Sequence, residues 1–414
     1  MGNSSPAGRR FIRFGCGHKP AHEAKCACRF GQSFILVCLV TFSAFASFHL
    51  LLPTLLIYVQ VLGGGFLGVG LVNAVFAFSA IIFRPFIGRE LDKRGRIKIL
   101  IGGVAVFLLA TIIYNFVHQV WSLLLLRLLH GVGWGAITTS VHALVADIAP
   151  EVRRGEGMGF FGISANLGIA IGPFLGLSLI GAQPPFNFKL MFIVAGALAL
   201  TCLILALTVA EPDRENEPRG DVKVSFLGPF LFLAAAMMVL TYSFGTLVTF
   251  IPLYAQAKAV QNIGLFFTAY AITFMVARPL AGTVSDIKGR AVVIMPGIVL
   301  ASLATASLVL WSSLPSFMFA AVLFGIGFGG THPCIMAFIV DLAPGHMKGA
   351  AMGFFTAAFD LGIGLGSLLS GLVLQLSGFN LMFVSAAGLT LTGLATFSLA
   401  QRKSRVDIGV GGGR

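Results

Sequence analysis

The sequence predicts an all-α membrane protein of twelve transmembrane helices, arranged as two parallel six-helix repeats. Three observations carry that expectation. The 414 residues are 57% hydrophobic and only 10% charged, with a mean hydropathy of +0.94, more apolar surface than a soluble fold of this size can bury. The apolar residues fall in about twelve continuous runs, each near the roughly 20 residues a spanning helix needs. The chain also aligns with itself at a constant register.

In chain order the runs are 33–58, 66–88, 98–117, 120–146, 156–180, 189–210, 225–250, 262–284, 292–312, 316–342, 350–375 and 379–400. Each is continuously apolar, whereas barrel strands would alternate over about ten residues, so helices are expected. The 51 glycines suit close helix contact, because lipid gives no hydrophobic drive and small residues let backbones approach.

The net charge of +13 follows the topology. Of the 28 Lys and Arg, Lys189 and Lys258 fall in external loops and Arg127 inside a helix. The others lie in the tails, in segments 84–98, 153–154, 214–223 and 278–290, or at Lys348, all on one side. This positive-inside bias places both termini in the cytoplasm of a multi-pass inner (plasma) membrane protein and accounts for the basicity without a nucleic-acid partner. The basic N-terminal tail precedes a span longer than a signal-peptide core, so the first helix is read as uncleaved, and Pro6 breaks the myristoylation pattern. Of six cysteines, Cys38, Cys202 and Cys334 fall within predicted helices. Cys16, Cys26 and Cys28 interleave with His18 and His22 in an order matching no standard zinc spacing, so no metal is expected.

The repeat is visible residue by residue. Arg84-Pro85 matches Arg278-Pro279, Gly88 matches Gly282, Asp92 matches Asp286, and Gly95-Arg96 matches Gly289-Arg290, each pair 194 residues apart. The same offset carries Gly131, Gly133 and Gly135 onto Gly325, Gly327 and Gly329, and Asp147 and Leu167-Gly168 onto Asp341 and Leu361-Gly362. Tyr58 and Gln60 match Tyr254 and Gln256 at 196, placing two fewer residues in the following external loop of the second half. The organisation read from this is a basic tail (1–32), a first half (33–210), a charged, proline-containing cytoplasmic linker (211–224), a second half (225–400) and a C-terminal tail (401–414). Six helices per half give the two copies the same orientation.

Gly88-Arg-Glu-Leu-Asp92-Lys-Arg-Gly95-Arg96 and Gly282-Thr-Val-Ser-Asp286-Ile-Lys-Gly289-Arg290 share the pattern G-x-x-x-D-x-x-G-R. It resembles motif A of the major facilitator superfamily, with Glu90 replacing the family's usual apolar residue. The resemblance implies the twelve-helix major facilitator fold and a cytoplasmic latch between the halves, built from Gly88, Asp92, Arg96 and Asp147 and repeated at Gly282, Asp286, Arg290 and Asp341. Gly168, Gly172, Pro173 and Gly176 resemble motif C of the drug/proton antiporter branch, which implies export; the second half carries Ser367 where the first has Pro173. Glycines four apart make a flat stripe, and the proline removes a backbone hydrogen bond. Arg127-Leu-Leu-His130-Gly131-Val-Gly133 is similar to motif B, whose Arg is tied to proton transfer in that branch. Arg127 lies about six residues from the helix end, shallow enough to snorkel.

Asp360 is the single carboxylate deep in a predicted span, an expected functional position, and His332 lies at the same depth. We expect these two to form a proton-exchanging pair, since their counterparts, Thr138 and Asn166, do not titrate. His49, His130, Trp134 and Tyr242 are candidate cavity residues on helices that line the cavity in the family. No clustered ligands or nucleophile with a base appear at helix depth, so an enzyme is not expected. The reading is a proton-coupled antiporter exporting small organic molecules, monomeric and without a cofactor, with lipid, protons and a small solute as partners. The alternatives are a proton-coupled symporter for a sugar or organic acid, and a non-transporting sensor of the same fold.

Overall fold

A computed structural model describes residues 31–148, 154–181, 183–211, 229–342 and 348–411. The N-terminal cluster of Cys16, Cys26, Cys28, His18 and His22, and the linker beyond Glu211, lie outside the described residues. The helices are α1 Gln32–Val61, α2 Phe66–Arg94, α3 Arg96–Ile113, α4 Val120–Ile148, α5 Arg154–Ile180, α6 Phe188–Thr208, α7 Pro229–Ala257, α8 Gly264–Lys288, α9 Ala291–Ser307 and α10 Leu314–Leu342, followed by one run, Lys348–Gly411. Inside that run Gly378 takes φ 80° and ψ 175°, a conformation open to glycine. It divides the run into α11 (348–377) and α12 (379–411), so a single residue makes the turn expected there.

Several boundaries differ from the hydropathy reading for local reasons. α2 continues past residue 88 to Arg94, and along this charged last stretch Glu90 pairs with Arg94 at 2.5 Å, a spacing that favours the helix. It stops at Gly95, with φ 106°. α7 runs to Ala257 rather than 250, keeping Pro252 inside it. α9 ends at Ser307 rather than 312, where Ser313 and Ser316 bond to each other around the following turn.

The pattern of exposure suits a lipid solvent. Large side chains on the outer surface are apolar, among them Ile82, Phe86, Leu125, Ile204, Leu280 and Ile287, while Arg127, His130, Thr241, Ser243 and Thr249 are buried. A surface this apolar is at home in hydrocarbon and not in water. The repeat extends to the packing: Tyr58 donates to the Val117 carbonyl, and its counterpart Tyr254 donates to that of Leu308 at 3.0 Å.

The turns at Gly95 and Gly289 mark one end of the bundle, here the basic end; the other is the far end. From mid-depth to the far end, α1 is buried on every side from Ala46 to Val59, and α7 from Val239 to Ala255. The halves touch there through backbone. A Cβ on Gly70 of α2 would collide with the Ser367 carbonyl of α11, and one on Gly371 would stand 2.8 Å from the Phe66 carbonyl. Toward the basic end the packing loosens. His142 is exposed, and Gly88 and Gly282 have nothing within 4 Å of a would-be Cβ. The described contacts between the halves are tightest at the far end, where the backbones meet at Gly70 and Gly371.

Candidate functional site

Among the described residues the most buried cation is Arg127 of α4, fully enclosed. It does not snorkel, because its helix turns it into the bundle. Its guanidinium lies 3.3 Å from His130 Nδ1, donates to Asn73 Oδ1 at 3.3 Å and stacks over Phe76 at 5.0 Å. Tyr114 Oη lies 2.9 Å from the same His130 nitrogen. From Asn73 the chain of polar groups crosses between the halves: Asn73 Nδ2 donates to Thr249 Oγ1 of α7 at 3.0 Å, and Thr249 meets Ser367 of α11 at 2.7 Å. A buried charge with neutral partners is costly unless each partner is fixed, and this network fixes them by joining α4, α2, α7 and α11.

Three of the candidate cavity residues come together in an aromatic cluster beside this network. Phe48 is its hub, with ring centroids 4.3 Å from Trp134, 5.0 Å from His49 and 6.5 Å from His130. All are buried. The His49 ring is held by the Phe45 carbonyl at 2.9 Å. Tyr242 lies apart from them on α7, accepting from Ser370 at 3.2 Å.

The glycine stripe of α5 lies directly on α1. A Cβ on Gly168 would stand 2.7 Å from Ala46 N, and one on Gly172 would stand 2.8 Å from both His49 Cβ and Leu50 N; at Gly176 it would collide with the Leu50 carbonyl. Pro173 sits within the continuous helix. The second half repeats this with α11 on α7, where Gly366 meets the Tyr242 carbonyl and Ser370 bonds Thr246 at 2.7 Å.

Asp360 is not paired with His332. Its carboxylate lies 2.6 Å from Arg84 Nη1, with side-chain exposures of 15% and 16%, so α11 of one half holds α2 of the other. Arg84 sits ten residues inside the end of α2, roughly 15 Å along the helix. The sequence reading had grouped it, like Arg278, with the basic turn. His332 is ringed instead by Phe328, Phe355 and Phe359, at 5.7, 5.4 and 5.3 Å, and its Nδ1 is buried without a hydrogen-bond partner.

At the basic end the described latch pairs lie within each half rather than between halves. Arg96 Nε donates to Asp147 at 2.8 Å, tying α3 to α4. Arg290 meets Asp341 at 2.9 Å and Asp286 at 2.5 Å. Burial pulls the Arg290 guanidinium down, but Asp341 and Asp286 outweigh it and raise its pKa, so it stays charged. The side chain of Asp92 lies outside the described part. The tight turn is made by Gly95 and Gly289, with φ 106° and 93°, while Gly88 and Gly282 are inside helices. Glu211 takes the first backbone N–H groups of α3, from Arg96 at 2.6 Å and Ile97 at 2.8 Å, a carboxylate at a helix N-terminus.

Residues 37–261 and 233–410 match the family model described as Major Facilitator Superfamily. The chain belongs to the Major Facilitator Superfamily. Among superfamily relatives it is 26% identical over 335 residues to the staphylopine export protein of Staphylococcus aureus, covering 76% of this chain and 83% of that protein. It is 25% identical over 370 residues to the quinolone resistance protein NorA of the same species, covering 85% and 92%. The crystal structure of a bacterial homolog of the human lysosomal transporter Spinster, inward-facing and unoccupied, superposes with a TM-score of 0.75 at 16% identity, covering 93% of this chain and 98% of that one. That likeness shows the fold.

As a superfamily member the chain is a multi-pass membrane transporter. Sequence reasoning named Arg127, His130 and Asp360, and Ser367 only as the residue standing in for a proline; it did not single out Asn73, Thr249 or Glu211, and it misplaced Arg84. The signal for Arg84 was present: Arg-Pro recurs at Arg278-Pro279, in both cases before the hydrophobic run ends.

Proposed function

We propose that this transporter exports small organic molecules in exchange for protons, by alternating access between a first half at 33–210 and a second at 225–400 joined by the linker 211–224. In this reading all twelve helices cross the inner membrane, the basic end and both termini face the cytoplasm, and one chain suffices. The export direction is supported by the α5 glycine stripe with Pro173 and by relatives whose names describe export and drug resistance.

The observation that carries proton coupling is the Arg84–Asp360 pair. A carboxylate at membrane depth in one half holds a cation in the other, so a proton arriving at Asp360 removes one charge of the pair and loosens the halves. Arg127 and His130 are the second proton-linked group in this reading, and Asp92, Arg96, Asp147 and their repeats take part in gating by bracing the basic end of each half, since the described pairs lie within the halves. In a host lacking its own exporters, expression lowers the intracellular level of exported dyes and drugs only while the proton gradient stands, and Asp360→Asn abolishes that dependence. An Asp360→Asn protein with full gradient dependence removes the coupling assignment; accumulation driven inward by the gradient reverses the direction.

A further inference from the structure

The repeat places a second arginine where Arg84 has its counterpart. At the Arg84 site three groups meet: Arg84, Thr138, which accepts from Arg84 at 3.4 Å, and Asp360 at 2.6 Å. Shifted by 194 residues these become Arg278, His332 and Asn166. Arg278 lies ten residues inside the end of α8, is half-buried, and makes no ion pair with any described acid. A Cβ on Gly162 of α5 would stand 3.5 Å from its Nη1, and Asn166 is one turn further along α5 and buried. His332 holds on α10 the repeat position that Thr138 holds on α4, and its Nδ1 has no hydrogen-bond partner.

The first site is electrically closed: it has a cation and its carboxylate. The second has the cation and two further polar groups able to donate, but an amide stands where the carboxylate belongs. A guanidinium with no counter-charge among the described residues is costly at this depth, and arginine's planar fork suits a carboxylate.

We propose that Arg278, His332 and Asn166 form a binding site for the carboxylate of a small amphipathic organic anion, which supplies from solution the group that Asp360 supplies at the other site. The rings of Phe328, Phe355 and Phe359 around His332 offer the apolar wall for the body of the solute. The proposal rests on the transporter reading and names its substrate class.

The test uses the full-length protein in nanodiscs and two fluorescent probes that differ only in charge, dansylglycine and dansylglycinamide. Wild type binds the carboxylate about tenfold or more tighter than the amide, the size of a charged hydrogen-bonded contact. Arg278→Gln brings the ratio to about one, and Arg278→Lys keeps part of it. Asn166→Asp installs the missing acid, closes the site internally and also loses the preference. Circular dichroism and size exclusion establish that each variant is folded. Equal binding of the two probes by wild type, no binding of the carboxylate, or a preference that survives in folded Arg278→Gln or Asn166→Asp overturns the proposal. Counterflow of both probes in proteoliposomes separates the two readings: equal transport of acid and amide refutes the anion site and leaves the transporter intact, whereas selective binding without transport refutes the transporter reading alone.

Discussion

Replacing Gly172 by alanine tests whether the α5 stripe is a packing surface set by backbone contact. The added Cβ would stand 2.8 Å from His49 Cβ, 2.8 Å from Leu50 N and 2.9 Å from the Ala46 carbonyl oxygen. All three belong to the α1 backbone or its first side-chain carbon, so no rotamer change relieves them. Carbon contacts settle near 3.5–4.0 Å, which asks α1 to retreat by about 0.7 Å or more. Gly168 and Gly176 touch the same face, so the retreat also loosens their contacts. Overpacking of this kind costs about 1–3 kcal/mol. Gly102 of α3 is the control, since nothing lies within 4 Å of its would-be Cβ; there Ala gains up to about 1 kcal/mol from helix propensity alone. Thermal unfolding of the purified protein in nanodiscs, followed by intrinsic fluorescence, is expected to show a lower midpoint for Gly172→Ala and an equal or higher one for Gly102→Ala. A Gly172→Ala protein as stable as wild type would show that α1 and α5 are not in backbone contact and refute the reasoning.

Asn73→Ala removes the acceptor of the buried Arg127 and the donor to Thr249, and is expected to destabilise by about 1–3 kcal/mol in the same assay; a double-mutant cycle with Thr249→Val should show coupling of at least about 0.5 kcal/mol. Glu211→Ala uncaps α3, at about 1 kcal/mol, and should speed hydrogen exchange at the amides of Arg96 and Ile97 before any other part of the bundle. Arg96→Ala is expected to lower the unfolding midpoint more than Arg290→Ala, because the Arg96 side chain is 9% exposed, whereas Asp341, the partner of Arg290, is 54% exposed and such a pair is worth under about 1 kcal/mol. Equal effects of the two would contradict the difference in burial.

The fold was legible because lipid imposes one strong rule, continuous apolar runs, and because the repeat gave each run a register to check against. Where a run passed into charged residues the rule lost its grip. Hydropathy treats Arg89–Arg94 as a loop, yet it is helical, with Glu90 and Arg94 paired along it. The site was legible in depth but not in azimuth. Asp360 and His332 do share a level, yet helix rotation points the carboxylate at Arg84 and leaves the imidazole among phenylalanines. Arg127 was placed correctly along its helix and wrongly around it, since one face leads to lipid and another to Asn73 and His130. Glu211 belongs to a stretch read as linker, and its contact with α3 depends on how α6 ends beside Gly95, which no local pattern encodes.

The two halves share a backbone plan but divide their chemistry. At the positions of Tyr114, Arg127, His130 and Asn73 the second half carries Leu308, Ala321, Phe324 and Phe267, and the polar cluster gives way to stacked rings, with Phe324 5.5 Å from Phe328 and Phe328 5.0 Å from Phe244. The contacts that close the molecule differ in the same way. At the far end the halves are joined by a neutral hydrogen bond, Asn73 to Thr249, and by glycine backbones; nearer the basic end they are joined by the charged pair Arg84 and Asp360. A neutral hydrogen bond between an amide and a hydroxyl does not respond to protons, whereas the ion pair does. In the proposed cycle the far gate is therefore opened by packing and solute, while proton binding acts at the inner contact. Asn73 also holds Arg127, the second proton-linked group of that reading. Thr249→Val, which removes the bond between the halves and leaves Arg127 its acceptor, is therefore the variant expected to change the balance between open states without altering the gradient dependence that Asp360→Asn removes.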